Sequence, residues 1–390
     1  MSYYDVYSRY PIELVKADGL MLWDCHGRRY LDLYGGHAVI SIGHGHRLYR
    51  QNLKDQIDHI GFYSNSVKIA LQDRLSEKLV AATNMKGYRL FMVNSGAEAN
   101  ENALKLTALH SGRKKFISFS GSFHGRTALT IALSDTPALK SAISGDFEII
   151  RLPFNDTAAL YEALSKENEI AAVIIESIQG LSGIHVASDD FLQTLSTLCK
   201  KHGIMLIADE IQCGFGRSGA FFAFQHADIK PDIITMAKGM GNGFPVGSLL
   251  IHPDIPLFAN QLGTTFGGNQ LACAASLSVL AVLEQENLIA NARSMGDYLI
   301  NELKKISGIT CVRGRGLMIG IELGEKGAQS SVLRERLLQD FGIFTGTASH
   351  GCVIRLLPPL TLDRGNADYF LNCVQTICEE LCDEAIPVDQ

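Results

Sequence analysis

The sequence predicts an α/β fold, with a mostly parallel mixed central sheet in a large domain and a smaller α+β domain formed by both chain ends. Three observations carry this. Between about residues 85 and 252, seven short apolar runs alternate with stretches of helical periodicity. The runs are nearly unbroken, with no polar residue at every second position, so these strands are covered on both faces, as in a parallel sheet flanked by helices. At 390 residues the chain is long enough for one large and one smaller core.

Taken in order, the segment YDVYSRYPIELVKADGLMLWDCHGRRYLDLYGG shows hairpin-like alternation around Asp18-Gly19 and His26-Gly27, both turn signals. The seven apolar runs follow: RLFMVNS, KKFISFS, EIIRLPF, IAAVIIES, IMLIADE, DIITMAK and GSLLIH. A helical stretch from about 270 to 306 leads into strand-like CVRGRGLMIGIEL and CVIRLLPPL. These patterns divide the chain into an N-terminal part of the small domain (1–60), the large domain (61–281) and a C-terminal part of the small domain (282–390).

Composition narrows the function. Hydrophobic residues make up 46% and charged residues 19%, the balance of a well-buried globular protein. A net charge of −6, with no basic run interleaved with aromatics, argues against nucleic acid as a partner. No stretch approaches the roughly 20 apolar residues of a membrane span. The opening MSYYDVYSRYPIEL lacks the basic and then apolar blocks of a secretory signal, so the expected compartment is the cytoplasm. Nine cysteines without a CxxC pair fit reduced thiols. Cys373, Cys378 and Cys382 fall on one C-terminal helical pattern and read as buried thiols, with no metal expected.

In open parallel sheets the ligand site lies beyond the carboxyl ends of the strands, and four such ends here carry polar residues. In FMVNSGAEANENALKL a strand stops at Asn94-Ser95-Gly96 and a helix begins. Ser95 and Glu98 have the spacing of a capping box, and exposed amides at the positive helix end suit a phosphate; read alone, Ser95 merely caps a helix. In SFSGSFHGRTALT, Phe123 could lie against a planar ring and Arg126 could bind a carboxylate with its planar fork, or the segment is a polar loop.

In IMLIADEIQCGFGRSG, Asp209 follows an apolar strand, where an unpaired carboxylate is costly. It needs a cationic or proton-bearing partner; a protonated pyridine nitrogen would serve. Magnesium is the competing reading, but no phosphate loop of the GxxxxGK[ST] type accompanies it. In DIITMAKGMGNGFPVG, Lys238 ends another apolar strand, where desolvation would lower its pKa and leave a nucleophilic amine. The glycines of GMGNG lack the spacing of a dinucleotide fingerprint.

In this order SGAEANE, SFHGRT, ADEIQCGFGRSG, AKGMGNGFPVG and TTFGGNQLAC resemble the fold-type I, class III pyridoxal-phosphate aminotransferases, and within them the acetylornithine/ornithine aminotransferase family. The likeness runs from LYGGHAVISIGHGH to VIRLLPPL. It implies that Lys238 attaches pyridoxal 5′-phosphate covalently and moves a proton between carbon atoms, while Asp209 binds the pyridinium nitrogen. It places Phe123 and Ile211 on the two ring faces and Gln212 near the phenolic oxygen, and counts His124 and Glu176 among the cofactor-binding residues. Ser95, Gly96 and Ala97 would hold the phosphate. Thr265 would reach it from a second subunit, implying a homodimer with sites at the interface. For substrates the likeness assigns Arg126 to the far carboxylate and Arg355 to the α-carboxylate of glutamate or 2-oxoglutarate.

Two positions depart from the family pattern. In ESIQGLSG, Leu181 stands where relatives carry a glutamate that covers the second arginine, so Arg355 must be neutralised otherwise or stay solvated. His37 resembles a tyrosine position of ornithine δ-aminotransferases and an aliphatic one of many acetylornithine enzymes. It could hydrogen-bond an acyl group or simply pack. The implied reaction transfers the terminal amine of N-acetylornithine, or another N-acylornithine, to 2-oxoglutarate in arginine biosynthesis. Free ornithine and N-succinylornithine are the alternative donors.

Overall fold

The computed structural model describes residues 6–324, 329–349 and 351–384, with the backbone alone for 382–384. The first five residues of the opening segment and the Cys382 side chain lie outside the described residues. At the N-terminal end, β1 (Leu14–Asp18), β2 (Met21–Asp24) and β3 (Arg29–Asp32) form an antiparallel meander. Gly19 and Gly27, both at positive φ, make its turns, as Asp18-Gly19 and His26-Gly27 predict.

The central strands are β4 (Arg89–Val93), β5 (Lys115–Phe119), β6 (Ile149–Leu152) and β7 (Ile170–Ile175). A two-stranded hairpin, β8 (Ile178–Gln179) and β9 (His185–Val186), follows, and then β10 (Met205–Asp209), β11 (Ile233–Met236) and β12 (Gly247–Ile251). All seven apolar runs of the sequence enter one sheet, in the order β4-β12-β11-β10-β7-β5-β6. β12 is antiparallel to both neighbours and every other pair runs parallel. Six strands therefore point the same way. β7, β10, β11 and β12 are buried along their whole length, which accounts for their unbroken hydrophobicity.

The C-terminal strands are β13 (Ile309–Arg315), β14 (Met318–Leu323), β15 (Ile343–Phe344), β16 (Gly346–Thr347) and β17 (Ile354–Leu356). CVRGRGLMIGIEL, read as strand-like, is a hairpin of β13 and β14, turned at Gly316 with φ +56°. The helical stretch from 270 to 306 is two helices, Gln270–Gln285 and Leu288–Leu303, bent by 65°. Asn287 takes a left-handed conformation between them, which Asn tolerates better than most residues and which stops a right-handed helix. β15 pairs in parallel with β3, joining a C-terminal strand to the N-terminal meander.

Among the described residues no single helix is long and apolar enough to cross a membrane. Among the described residues, Cys373 and Cys378 are buried in the last helix.

Candidate active site

The loops leaving β4, β5, β7, β10 and β11 all open at the same edge of the sheet, around a cavity of about 460 Å³. Gly96, Ala97, Phe123, His124, Arg126, Glu176, Asp209, Ile211, Gln212, Lys238, Arg355 and His37 line it together. Ser95 and Thr265 do not. Ser95 is exposed, with its hydroxyl accepting from the Glu98 amide at 3.2 Å. Thr265 is exposed, next to Thr264, whose hydroxyl accepts from the Asn94 side-chain amide at 3.1 Å.

The floor is built from strand ends. Asp209, 3% exposed at the end of β10, takes hydrogen bonds on Oδ2 from the side chains of His124 and Asn100, both at 2.8 Å. Its Oδ1 accepts from the Ile211 amide at 3.1 Å. These donors meet the need for partners that the sequence context raised; stripping them from a buried carboxylate would cost about 3–5 kcal/mol. Nε2 of His124 is buried on the cavity side with no partner in the protein.

Lys238 follows β11 with φ +46°, a strained conformation for a residue other than glycine. Burial lowers its amine pKa, while the nearby Asp209 and Glu176 charges act in the opposite direction. A lowered pKa enlarges the neutral, nucleophilic fraction. Glu176, at the end of β7, accepts from the amides of Phe123 at 2.8 Å and Gly180 at 3.2 Å, tying two loops across the floor. Burial pushes its carboxyl up to about 7, with Asp209 adding to the rise and His124 opposing it.

One wall is the first turn of the helix Gly96–Ser111, whose leading amides have no acceptor within the helix. Gly96 leaves room there for Ile211: an added Cβ would come within 2.9 Å of its side chain. The capping box is shifted by one residue. Ser95 caps the Glu98 amide as its spacing predicts, but the Glu98 carboxylate accepts from the Asn94 backbone amide at 2.7 Å, one residue before the cap.

The mouth comes from distant parts of the chain. Arg355 on β17 is only 2% exposed, so it is not solvated in the absence of an acid at position 181. Its guanidinium donates to the carbonyls of Thr347 at 2.7 Å and Gly180 at 3.0 Å and to the Tyr34 hydroxyl at 3.2 Å. Leu181 lines the cavity beside it. Arg126 is exposed at the opening, and neither arginine forms an ion pair among the described residues.

His37 sits in a turn of four consecutive residues at positive φ, Gly35 to Ala38. Desolvation by the cavity wall, then the charges of Arg355, Lys238 and Arg126, push its imidazole pKa down to about 4. Its Nδ1 lies 2.5 Å from the Tyr34 hydroxyl and its carbonyl accepts from Gln212 at 3.2 Å.

Three contributors were not among the residues singled out in the sequence. Asn100 sits inside the Gly96–Ser111 helix, bonded to Asp209 and the His124 carbonyl, and accepts from Thr235 at 2.7 Å. An Asn among the Ala and Leu of that helix was the available signal, which does not by itself tell that this polar position is buried. Asn242 clamps the Lys238 turn to the N-terminal segment through the amides of Ser41 and Ile42 and the Gly43 carbonyl. Tyr34 carried no comparable signal.

The family model for class-III aminotransferases matches residues 3–378. The chain is 39% identical to the acetylornithine aminotransferase of Bacillus subtilis (strain 168) over 371 residues, covering 93% of this chain and 94% of that protein. It is 37% identical to the acetylornithine aminotransferase of Methanocaldococcus jannaschii, covering 96% of each. Among solved structures it is similar to the acetylornithine aminotransferase of Elizabethkingia anophelis, with a TM-score of 0.83 at 30% identity, covering 96% of this chain and 95% of that one. The ornithine aminotransferase of Toxoplasma gondii gives a TM-score of 0.90 at 27% identity, covering 98% of this chain and 92% of that one.

Proposed function

Because the chain belongs to the class-III aminotransferases, which are pyridoxal-phosphate-dependent transaminases of fold type I, we propose that it transfers the terminal amine of an N-acylated ornithine to 2-oxoglutarate. N-acetylornithine is the donor of first choice, the products are the semialdehyde and glutamate, and the place is arginine biosynthesis. The observation that carries this is one cavity with a half-buried amine, Lys238, and a buried carboxylate, Asp209, at its floor and two arginines without ion-pair partners among the described residues at its mouth. The names of the curated relatives point to the acetylated donor.

The cavity suits pyridoxal 5′-phosphate on its own chemistry. It has an unpartnered buried His124 nitrogen, an amine of lowered pKa and a helix start at which Gly96 lets the Ile211 side chain pack close. When bound, that cofactor supplies an electron sink that acidifies the carbon bearing the transferred amine. Lys238 would hold it covalently through Nζ and, when freed, shift a proton between neighbouring carbons. Asp209 would face the ring nitrogen, with its own position fixed by His124 and Asn100. Phe123 and Ile211 would take the ring faces, Gln212 the phenolic oxygen, and Glu176 the hold on the surrounding loops. The Gly96 and Ala97 amides, with Ser95, would take the phosphate.

At the mouth, Arg126 would bind the far carboxylate and Arg355 the α-carboxylate of 2-oxoglutarate, two separate forks for a dicarboxylate. His37 would contact the donor. Thr265 would act from a second copy in a homodimer. In support, Phe62, Tyr63, Val67 and Phe266 are exposed in the segments adjoining Thr265, with the Phe62 and Phe266 rings 5.3 Å apart. On composition we place the enzyme in the cytoplasm, with no nucleic-acid or membrane partner.

The test is to titrate the cofactor-loaded protein separately with N-acetylornithine, N-succinylornithine and ornithine while following its yellow absorbance. Rapid bleaching by an acylated donor, with ornithine much slower, is the expected result and identifies the acyl group. A preference for free ornithine would replace this reading with an ornithine δ-aminotransferase.

A further inference from the structure

A guanidinium buried without a counterion is costly, and Arg355 meets that cost with two carbonyls and one phenol. Tyr34 is fixed in place for this. Its amide donates to Asp32 at 3.0 Å, and its ring lies against Gly346, where any Cβ would overlap it. The guanidinium carbon stands 5.8 Å from the ring centroid. The hydroxyl has a second partner, Nδ1 of His37, held in range by the left-handed turn. Arg355 donates to the Tyr34 oxygen, and with His37 neutral and its proton on Nε2, Nδ1 accepts the single phenol proton and the oxygen lone pairs face Arg355.

We propose that Tyr34, oriented by His37, is a positioning residue that covers Arg355 during the amino-donor half of the reaction, as a neutral stand-in for a carboxylate. It thereby tunes how the enzyme discriminates a dicarboxylate acceptor from a monocarboxylate donor. The proposal rests on reading Arg355 as the α-carboxylate site. When the acceptor is bound, its carboxylate balances the guanidinium and Tyr34 is dispensable. When the donor is bound, no substrate carboxylate reaches that end of the cavity, and among the described residues the phenol and the carbonyls of Gly180 and Thr347 are the groups hydrogen-bonded to the guanidinium, with the Glu176 charge acting from farther off.

The experiment measures the two half-reactions separately, by absorbance of the cofactor-loaded enzyme, for Tyr34→Phe. That change keeps the ring in its slot beside Gly346, and unchanged Tm and cofactor absorbance verify folding. The expected result is a donor KM raised roughly 10-fold, the scale of one hydrogen bond to a charged group, with the 2-oxoglutarate KM unchanged or lower and both kcat values within about twofold. A carboxylate supplied from the same wall, in the double variant Tyr34→Phe with Leu181→Glu, should return the donor KM toward the parent value and weaken 2-oxoglutarate. Equal effects on both halves, no effect on either, or no rescue would overturn the proposal. Arg355→Ala serves as the control. If it leaves the 2-oxoglutarate half-reaction intact, the reading of Arg355 itself fails; if it cripples that half while Tyr34→Phe changes nothing, only the role of Tyr34 falls.

Discussion

The floor and the mouth of the cavity solve opposite electrostatic problems. On the floor, Asp209 is buried and held by three donors, His124, Asn100 and the Ile211 amide. At the mouth, Arg126 and Arg355 face the cavity and form no ion pair among the described residues. A floor whose charge is already organised serves every substrate alike. A mouth whose charge is left unbalanced is completed by the substrate, so selection between substrates resides there.

The sharpest way to break this contrast is at Lys238. If Lys238 is the covalent anchor and proton carrier proposed above, its replacement by Ala should lower kcat by about 10⁴-fold or more and by the same factor for every donor. Steady-state rates with several donors check it, and a loss confined to one donor would move Lys238 out of the common floor. Arg126→Ala should behave in the opposite way. The KM of carboxylate-bearing donors should rise about 10- to 100-fold, as expected for a lost charge-assisted fork, while a primary amine lacking a carboxylate should lose nothing. Comparing the two donor classes on one variant sharpens the division.

The smallest effect concerns a buried acid behind the floor, Glu210, which follows Asp209 in the chain but does not line the cavity. Glu210 accepts from the amides of Ala223 and Phe224, and burial pushes its carboxyl up to about 7. A carboxyl whose pKa is raised in the folded state binds its proton more tightly there than in the unfolded chain. Its contribution is therefore favourable at low pH and declines as pH rises from the unfolded value near 4.5 through about 7. Melting the cofactor-free protein between those pH values should show a steeper decline for the parent than for Glu210→Gln. Parallel curves would contradict it.

The floor was largely legible in the sequence and the mouth much less so. Asp209 and Lys238 each follow an unbroken apolar run, and a polar residue at the end of a buried strand has few innocent explanations. Gly96, Phe123 and His124 stand just past strands in the same way. Asn100 was missed because a helix offers many polar positions and only tertiary placement shows which is buried.

At the mouth, Arg355 emerged only through resemblance. Its neighbours Tyr34, Gly180 and Thr347 lie on three separate segments, and nothing local records that they meet. Leu181 marked a missing acid, yet the replacement came from a tyrosine 147 positions earlier in the chain. Ser95 illustrates the limit of spacing rules: the motif placed the cap correctly, while the glutamate turned to Asn94.

The reversed strand β12 also bears on how the protein is made. Among the described residues it is the only strand paired with β4, so the edge that carries the Gly96 helix start joins the sheet through a strand encoded about 150 residues later. A growing chain that has already released Lys238 and Asp209 from the ribosome still has no place to dock that edge until residues 247–251 emerge. Pairings this distant in sequence are slow to form and leave strand edges bare meanwhile. The nascent chain thus cannot close the pocket wall at Gly96 until β12, which begins at Gly247 just after the Lys238 turn, has emerged.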